Sequence, residues 1–505
     1  MREVQYCFCL AEYYLKECSP PQPRFALQCL LASQNGDDVT LQEKLLGNLR
    51  LSQMYYKYTE NSNHVIEHTK KAVDFGQQFI SSYNDNYKNA CEEQTQPPAI
   101  HEQGTVLVFC PAEAYAEAVL FYSNLLLPAS SLNGFKNLQN NVDEAKRLLQ
   151  NCLNELASCV SWASPRLVHW QVKLALQMAT VLYREADYDT SKEFLNYGIE
   201  MAKPVTGLEY YWAMFSLAHA MISLNQFNLK GLEHNGNVSK MIKEIEEGFT
   251  REPSVDNSSK LCLASISDRQ KTHLSIYISV LKMSQALRNG DYKNSKKELK
   301  NLNEGYKKVS SSDSDIIEAG NNNELDTPVW MTKEQICVLI YLLQVQQSCL
   351  FGQFDKTIKN AAKGLQQIEK LKSQPKYRKS QLLVDFETIL LTLAFQANIA
   401  SNYRRKPAIE NMKSLINLQR GGNRSHVQYF EPALASMLSI YASSLGDLPS
   451  ASKQMTRILI LQDNEYQHTN QVPPPVANIS IRNKCSNELT GFAWMSYGAF
   501  ENWFQ

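Results

Sequence analysis

His64 and His68 stand four residues apart, a spacing that puts both imidazoles on one face of a helix and within reach of a single metal ion. Zinc needs further ligands, and no third one accompanies the pair, so a plain helix surface is the expectation. His101-Glu102 opens like a zinc-protease motif, but Thr105 stands where the second histidine must be. Gly231 and Gly236 have the spacing of a phosphate loop, yet Asn237 replaces the lysine whose ammonium would meet the phosphates. Cys7-Phe8-Cys9 is too close for a tetrahedral zinc pair. Nucleophile, acid and base nowhere converge, so neither an enzyme nor a cofactor is expected.

Two basic runs could meet phosphate. One holds Arg288, Lys293, Lys296, Lys297, Lys300, Lys307 and Lys308; the other holds Lys370, Lys372, Lys376, Arg378 and Lys379. Arg404-Arg405-Lys406 adds a third, shorter cluster. With acids Asp291, Glu298 and Glu369 beside them, solvated helix faces are expected over DNA contacts. The chain as a whole has 51 basic and 51 acidic residues, so no general pull toward nucleic acid or anionic membrane exists. No uninterrupted run of about twenty apolar residues is present. The start lacks the pattern of a signal peptide. Twelve cysteines run from Cys7 to Cys485 without a Cys-x-x-Cys pair, and Cys152, Cys337 and Cys349 sit in helical apolar patterns. Free, largely buried thiols in a reducing compartment are the expectation.

The elements that position these residues are helices. Leu174, Met178, Val181 and Leu182, and then Phe194, Leu195 and Ile199, recur at three and four. Strand-like alternation is confined to the stretch from Thr105 to Phe109. Short turns punctuate the helices: Gly290-Asp291-Tyr292, Glu185-Ala186-Asp187-Tyr188, Gly352-Gln353-Phe354-Asp355 and Gly446-Asp447-Leu448. In such a turn the glycine takes a left-handed C-cap and the aspartate caps the next helix, while the aromatic packs into the angle between the two. A small residue comes three positions past the aromatic, at Ser191, Ser295, Thr357 and Ala451, and lets the second helix approach the first.

Residues 171–204 fit a tetratricopeptide-type repeat. Ala175, Met178, Ala179 and Leu182 mark its first helix, Ser191, Leu195 and Gly198 its second, and Pro204 its stop. Weaker hairpins are predicted over 45–79, 113–156, 210–246, 276–302, 336–371, 382–418 and 432–461, with a further pair over 6–32 split around Ser19-Pro20-Pro21. The fold class is therefore all-α, a tetratricopeptide-like solenoid of helical hairpins over 1–461. Polar loops interrupt it at 92–104, 128–140, 251–259 and 310–326, and an irregular tail with Pro473-Pro474-Pro475 fills 462–505. Many of the 25 tyrosines, among them Tyr55, Tyr56, Tyr58, Tyr210, Tyr211 and Tyr341, are expected in the hairpin core.

In repeats of this type the second, fifth, ninth and twelfth positions of each first helix face the concave side. That register singles out Lys173, Leu176, Thr180 and Tyr183 in one repeat and Tyr277, Val280, Ser284 and Leu287 in another. In a third it gives Leu339, Leu342, Gln346 and Cys349. Their mixture of apolar, aromatic and amide groups suits an extended peptide.

The stretch from Trp330 to Leu342, with Gly352-Gln-Phe-Asp-Lys356 and the stretch from Lys363 to Lys372, resembles the small subunit of the cohesin loading complex, the Mau-type chromatid cohesion factors. Two further stretches agree. One runs from Ser19-Pro-Pro21 through Cys29-Leu30, Leu51, Tyr56 and Thr59-Glu60-Asn61-Ser62 to Lys71-Ala72. The other runs from His169-Trp170 through Ala179, Asp187 and Ala202 to Gly207-Leu-Glu-Tyr210 and Met221. The resemblance covers roughly 13–455. It implies a tetratricopeptide-like superhelix around an extended N-terminal segment of the large, HEAT-repeat loader subunit. The pair would load cohesin onto chromatin in the nucleus, for sister chromatid cohesion in the dividing cell. Chromatin would be reached through partners, and the ATPase would be cohesin's own. Against the family pattern, 92–112 looks inserted, the N-terminal extension is nearly absent, and the tail beyond Gln462 replaces further repeats. The competing expectation is a generic tetratricopeptide scaffold of another assembly, such as a ubiquitin-ligase or signalosome-like complex.

Overall fold

Local signals start and stop the helices of this chain. In a computed structural model, three first helices open on the same reciprocal cap. Thr40 accepts from the Glu43 backbone N–H at 3.3 Å while the Glu43 carboxylate accepts from Thr40. Ser267 with Gln270, and Thr332 with Gln335, repeat it. Each satisfies two backbone donors left over at a helix start. The turns close by a second device. The Asp291 N–H reaches the Ala286 carbonyl at 2.8 Å and the Gly290 N–H reaches Leu287 at 3.2 Å. Gln353 with Ser348 and Asp447 with Ala442 copy the longer-range bond. Gly290, Gly352 and Gly446 take φ of 67, 70 and 78°, the left-handed conformation the motif demands. Asp291 and Asp447 cap the next helix, accepting from the backbone of Asn294 and Ser450.

The structure describes residues 3–34, 39–59, 61–92, 110–126, 138–158, 165–185, 187–230, 233–251, 262–312, 331–374, 377, 380–401, 405–421, 427–454 and 456. Among them the regular structure is all helical, with no strand. The first helices are α1 (Glu3–Lys16) with α2 (Pro23–Ala32), α3 (Leu41–Tyr58) with α4 (Ser62–Glu92), and α5 (Pro111–Leu126) with α6 (Leu138–Ser158). Next come α7 (Pro165–Arg184) and α8 (Tyr188–Ala202), then α9 (Glu209–Lys230) and α10 (Glu233–Thr250). The rest are α11 (Asp268–Arg288) with α12 (Tyr292–Ser312), α13 (Lys333–Leu350) with α14 (Phe354–Lys372), α15 (Gln381–Ala400) with α16 (Arg405–Gly421), and α17 (Val427–Ser444). A last helical stretch over 448–454 pairs with α17 across the Gly446 turn. The all-α hairpin architecture read from the sequence is the one observed. The strand candidate at 105–109 and the tail from 462 lie outside the described residues. Two loops are shorter than expected: α6 already begins at Leu138 and α12 continues to Ser312.

The chain divides into two compact units, residues 1–182 with 189–215, and residues 183–188 with 216–505. In the first unit α3 packs on α4 and on α5, and α5 on α6. Its core holds Leu45, Leu49, Ile80, Tyr115, Val119, Leu149, Leu174 and Val181. In the second unit each helix from α11 to α16 packs on its successor; the first helices also meet directly, α13 with α15 and α15 with α17. Ile276, Met283, Leu302, Ile336, Val345, Leu390, Phe395 and Leu415 fill that core.

The small residues after the turns do what their size allows. Ser191, Ser295, Thr357 and Ala451 are all fully buried at the helix crossing. Two bond across it: Ser191 Oγ donates to the Ala179 carbonyl at 2.8 Å, and Thr357 Oγ1 donates to Ser348 Oγ at 2.9 Å; Ser295 Oγ instead accepts from Gln347 Nε2 of α13, in the next hairpin, at 2.8 Å. At the fourth, Ser439 donates to the Ala451 carbonyl. The aromatic positions match expectation only in part. Tyr188 is buried, edge-on to Tyr183, whereas Tyr292 and Leu448 are exposed. Tyr292 instead sets its ring against Phe351 of the next turn, centroids 4.8 Å apart.

Helix α15 is the most apolar of the array. Leu382–Ala400 is long and apolar enough to cross a membrane by length and composition, but most of it is buried against its neighbours. Asp385 and Glu387 break the apolar run near its start, and Glu387 pairs with Lys372.

Candidate partner-binding surface

The groups that suggested chemistry resolve into packing. His68 stacks on Tyr55 with rings 5.5 Å apart, and its Nδ1 lies 2.9 Å from Asn48 Oδ1. Burial pushes its pKa below the ordinary histidine value. His64 sits 3.6 Å from Glu67. Among the described residues no group of three His, Cys, Asp or Glu side chains is placed to hold a metal. Gly236 and Asn237 lie inside α10 rather than in a loop; His101 and Glu102 lie outside the described residues. The nine cysteines whose side chains are described form no disulfide. Cys152 is fully buried, and the other eight, Cys7, Cys9, Cys337 and Cys349 among them, are partly buried. The tyrosines divide similarly. Tyr210 and Tyr211 are core, whereas Tyr56 and Tyr58 are exposed.

The register residues fall on three first helices. On α7, Leu174, Ala175, Met178, Val181 and Leu182 face the core, which leaves Lys173, Leu176, Thr180 and Tyr183 half-exposed on the other side. Lys173 Nζ lies 4.5 Å from the Trp170 ring centre, and Thr180 Oγ1 donates to the Leu176 carbonyl. On α11, Val280 and Ser284 are half-exposed. Tyr277 and Leu287 are buried, with the Tyr277 hydroxyl 3.4 Å from Met221 Sδ. On α13, Gln346 and Cys349 are half-exposed and Leu339 and Leu342 are buried. Burial pushes the Cys349 thiol up to about 11. Packing within the chain accounts for Tyr277, Leu287, Leu339 and Leu342 and in part for Val280 and Cys349, which lie against the same core, while Lys173, Leu176, Thr180, Tyr183, Ser284 and Gln346 keep part of their surface in solvent.

The first unit adds residues that the register does not single out. Gln53 Nε2 on α3 donates to Glu117 Oε1 on α5 at 2.7 Å, and Arg50 lies 4.0 Å from the same carboxylate. Tyr56 sets its ring edge-on to Phe121, 5.5 Å away. Gln177 Nε2 on α7 donates to Asn124 Oδ1 on α5 at 2.8 Å. These pairs join the solvent-facing sides of α3, α5 and α7 into one polar and aromatic face. It presents amide, carboxylate and ring groups to whatever lies along it. Spacing within one helix does not reveal such pairs, because each depends on which first helix lies alongside.

The sequence model described as "Cohesin loading factor" matches residues 138–489, which includes α6 to α17. The chain belongs to the cohesin loading factor family. The family match runs well past residue 462, which corrects the view of the tail as unrelated to the family. Among similar proteins, the MAU2 chromatid cohesion factor homolog of Drosophila willistoni is 24% identical over 88% of this chain and 57% of its own length. That of Aedes aegypti is 24% identical over 88% of this chain and 60% of its own length. That of Drosophila ananassae is 26% identical over 69% of this chain and 50% of its own. The chain thus spans about half to three fifths of the length of these relatives, and the cohesin loading factor match falls on the hairpins described above.

Proposed function

We propose that this chain is a non-catalytic adaptor of the cohesin loader, acting in the nucleus. Its first-helix faces hold an extended segment at the N-terminus of the large HEAT-repeat loader subunit, and through that subunit it supports loading of cohesin onto chromatin. The observation that carries this reading is the family match over residues 138–489, laid on a hairpin array. The half-exposed faces support it physically. An extended chain needs backbone partners and shallow side-chain sites spread over many residues; amides such as Gln177 on α7 and Gln346 on α13 can supply the first, and side chains such as Leu176, Thr180 and Tyr183 the second. Ordering such a segment costs conformational entropy, so many modest contacts act together. Tetratricopeptide-like geometry is part of this proposal.

The test is affinity purification of the full chain from dividing cells. Recovery of a large HEAT-repeat protein together with cohesin subunits is the expected result. Recovery of ubiquitin-ligase or signalosome subunits in their place would assign the array to a different assembly.

A further inference from the structure

Formal charge is balanced over the chain but not over its second helices. In the first unit α4 carries three lysines against four acids, α6 two basic residues against three acids, and α8 one lysine against three acids. In the second unit α10 carries two lysines against four acids, but beyond it the balance reverses: α12 carries six lysines against two glutamates, α14 five lysines against two acids, and α16 four basic residues against one glutamate. The topology gathers this excess on one side. α12 packs on α11 and α13, α14 on α13 and α15, and α16 on α15 and α17, while α13, α15 and α17 meet one another in series. First helices therefore form one layer and second helices the other.

Each second helix turns its buried stripe to the first layer: Ser295, Leu302 and Val309 on α12, Ala361 and Ile368 on α14, Ala408 and Leu415 on α16. With 3.6 residues per turn, the opposite side of each helix holds Lys296 and Lys297, Lys359 and Lys363, and Lys406 and Lys413. All six are exposed, and none takes part in an ion pair among the described residues.

We propose that this outer face of α12, α14 and α16 binds the phosphate backbone of duplex DNA directly. The chemistry favours a duplex over other polyanions. The charges are almost all ammonium groups, point charges without the planar fork that grips one phosphate in a bidentate pair, and they are spread over three helices rather than gathered in a pocket. That distribution suits a regular lattice of phosphates and carries no base readout. Tyr292 is the one large exposed ring described on these three helices, and it rests edge-on against Phe351, so no stacking platform for single strands is built there. The face lies opposite the first helices, so it is distinct from the surface proposed to hold the loader segment.

The test uses the full chain and a fluorescent 30-base-pair duplex of arbitrary sequence, titrated from about 50 to 200 mM salt. Wild type is expected to bind with an affinity that falls steeply with salt. Lys296→Glu, Lys297→Glu, Lys359→Glu and Lys363→Glu combined should weaken duplex binding at least tenfold. The glutamine versions of the same four should lower the salt slope by roughly one for each phosphate that is no longer neutralised. Lys70→Glu with Lys71→Glu on α4 should change neither. Unchanged helical circular dichroism verifies that the surface changes leave the fold intact. The proposal is overturned if wild type shows no salt-sensitive duplex binding, or if the α4 pair matters as much as the four. It is also overturned if poly-glutamate binds wild type as tightly as the duplex and loses that binding in the same variants, which would assign the face to an acidic protein segment.

Discussion

The two units bring their helices together by different means. In the first, close approach depends on helix faces. The Gly198 backbone lies so near Phe215 that an added Cβ would fall 2.3 Å from the ring, and Gly76 stands in the same relation to Tyr115 at 2.4 Å. In the second, the corresponding approaches are looser, 3.0 Å at Gly305 and 2.9 Å at Gly364, and the hairpins are defined at their turns and by buried hydroxyl and amide bonds. Close glycine–ring approaches thus add to register in the first unit, where the Thr40 cap and the Ser191–Ala179 bond also act, while the second unit relies more on turn chemistry. Substitutions that change shape should damage the first unit most, and substitutions that change turn chemistry should be felt mildly in the second.

The largest effect is expected from Ala179→Asp. Ala179 is buried on α7 and its carbonyl already accepts from Ser191, so a carboxylate there is buried without a partner. Thermal unfolding should show a loss of about 3 kcal/mol or more. An unchanged melting temperature would mean that α7 and α8 do not cross as described.

Next comes acid. His169 is buried, its Nε2 lies 3.4 Å from the Tyr211 hydroxyl, and its Nδ1 has no hydrogen-bond partner. Desolvation, helped by Lys173, holds its pKa at about 4 against 6.5 for a free imidazole. The unfolded chain therefore takes up a proton below pH 6.5 that the folded chain refuses until about pH 4. Stability from this group is fully present above pH 6.5 and declines as pH falls toward 4, by up to about 3 kcal/mol. His169→Gln should flatten that part of the denaturation-versus-pH curve, and an identical slope in the variant would contradict the assignment.

Glycine substitutions bring the comparison to its finest scale. Gly198→Ala pushes a methyl into the Phe215 ring and should cost about 1–3 kcal/mol. Gly352→Ala meets no atom within 4 Å and only loses the ease of φ 70°, a cost of about 1 kcal/mol. Denaturant midpoints of the two variants would reverse this order if turn chemistry outweighed shape.

Legibility from sequence divides along the same line. The turns at Gly290, Gly352 and Gly446 are readable because a left-handed cap, its aspartate and the small residue beyond it lie within a few positions of one another. The caps at Thr40, Ser267 and Thr332 are equally local, but a threonine or serine three residues before Glu or Gln is a commoner pattern than the glycine turn and stands out less. The features that sequence does not reveal depend on neighbours distant along the chain. Gln53 with Glu117, and Asn124 with Gln177, pair only because α3, α5 and α7 lie side by side. The assignment of Tyr277, Leu287, Leu339 and Leu342 to a concave face meets the same difficulty. Helical spacing identifies a face, but the adjoining helix decides whether that face stays open. Loop ends differ from expectation where a helix runs on through largely polar sequence, as at Leu138–Asn140 and up to Ser312.

Hydrogen exchange with mass spectrometry can decide whether the first-helix faces hold an extended partner segment. The full chain would be measured alone and with the N-terminal segment of the large loader subunit. New protection should concentrate on α3, α5, α7 and the C-terminal half of α13 around Gln346 and Cys349, with α12, α14 and α16 unchanged. Protection confined to the second helices, or none at saturating segment, would rule out this mode of binding.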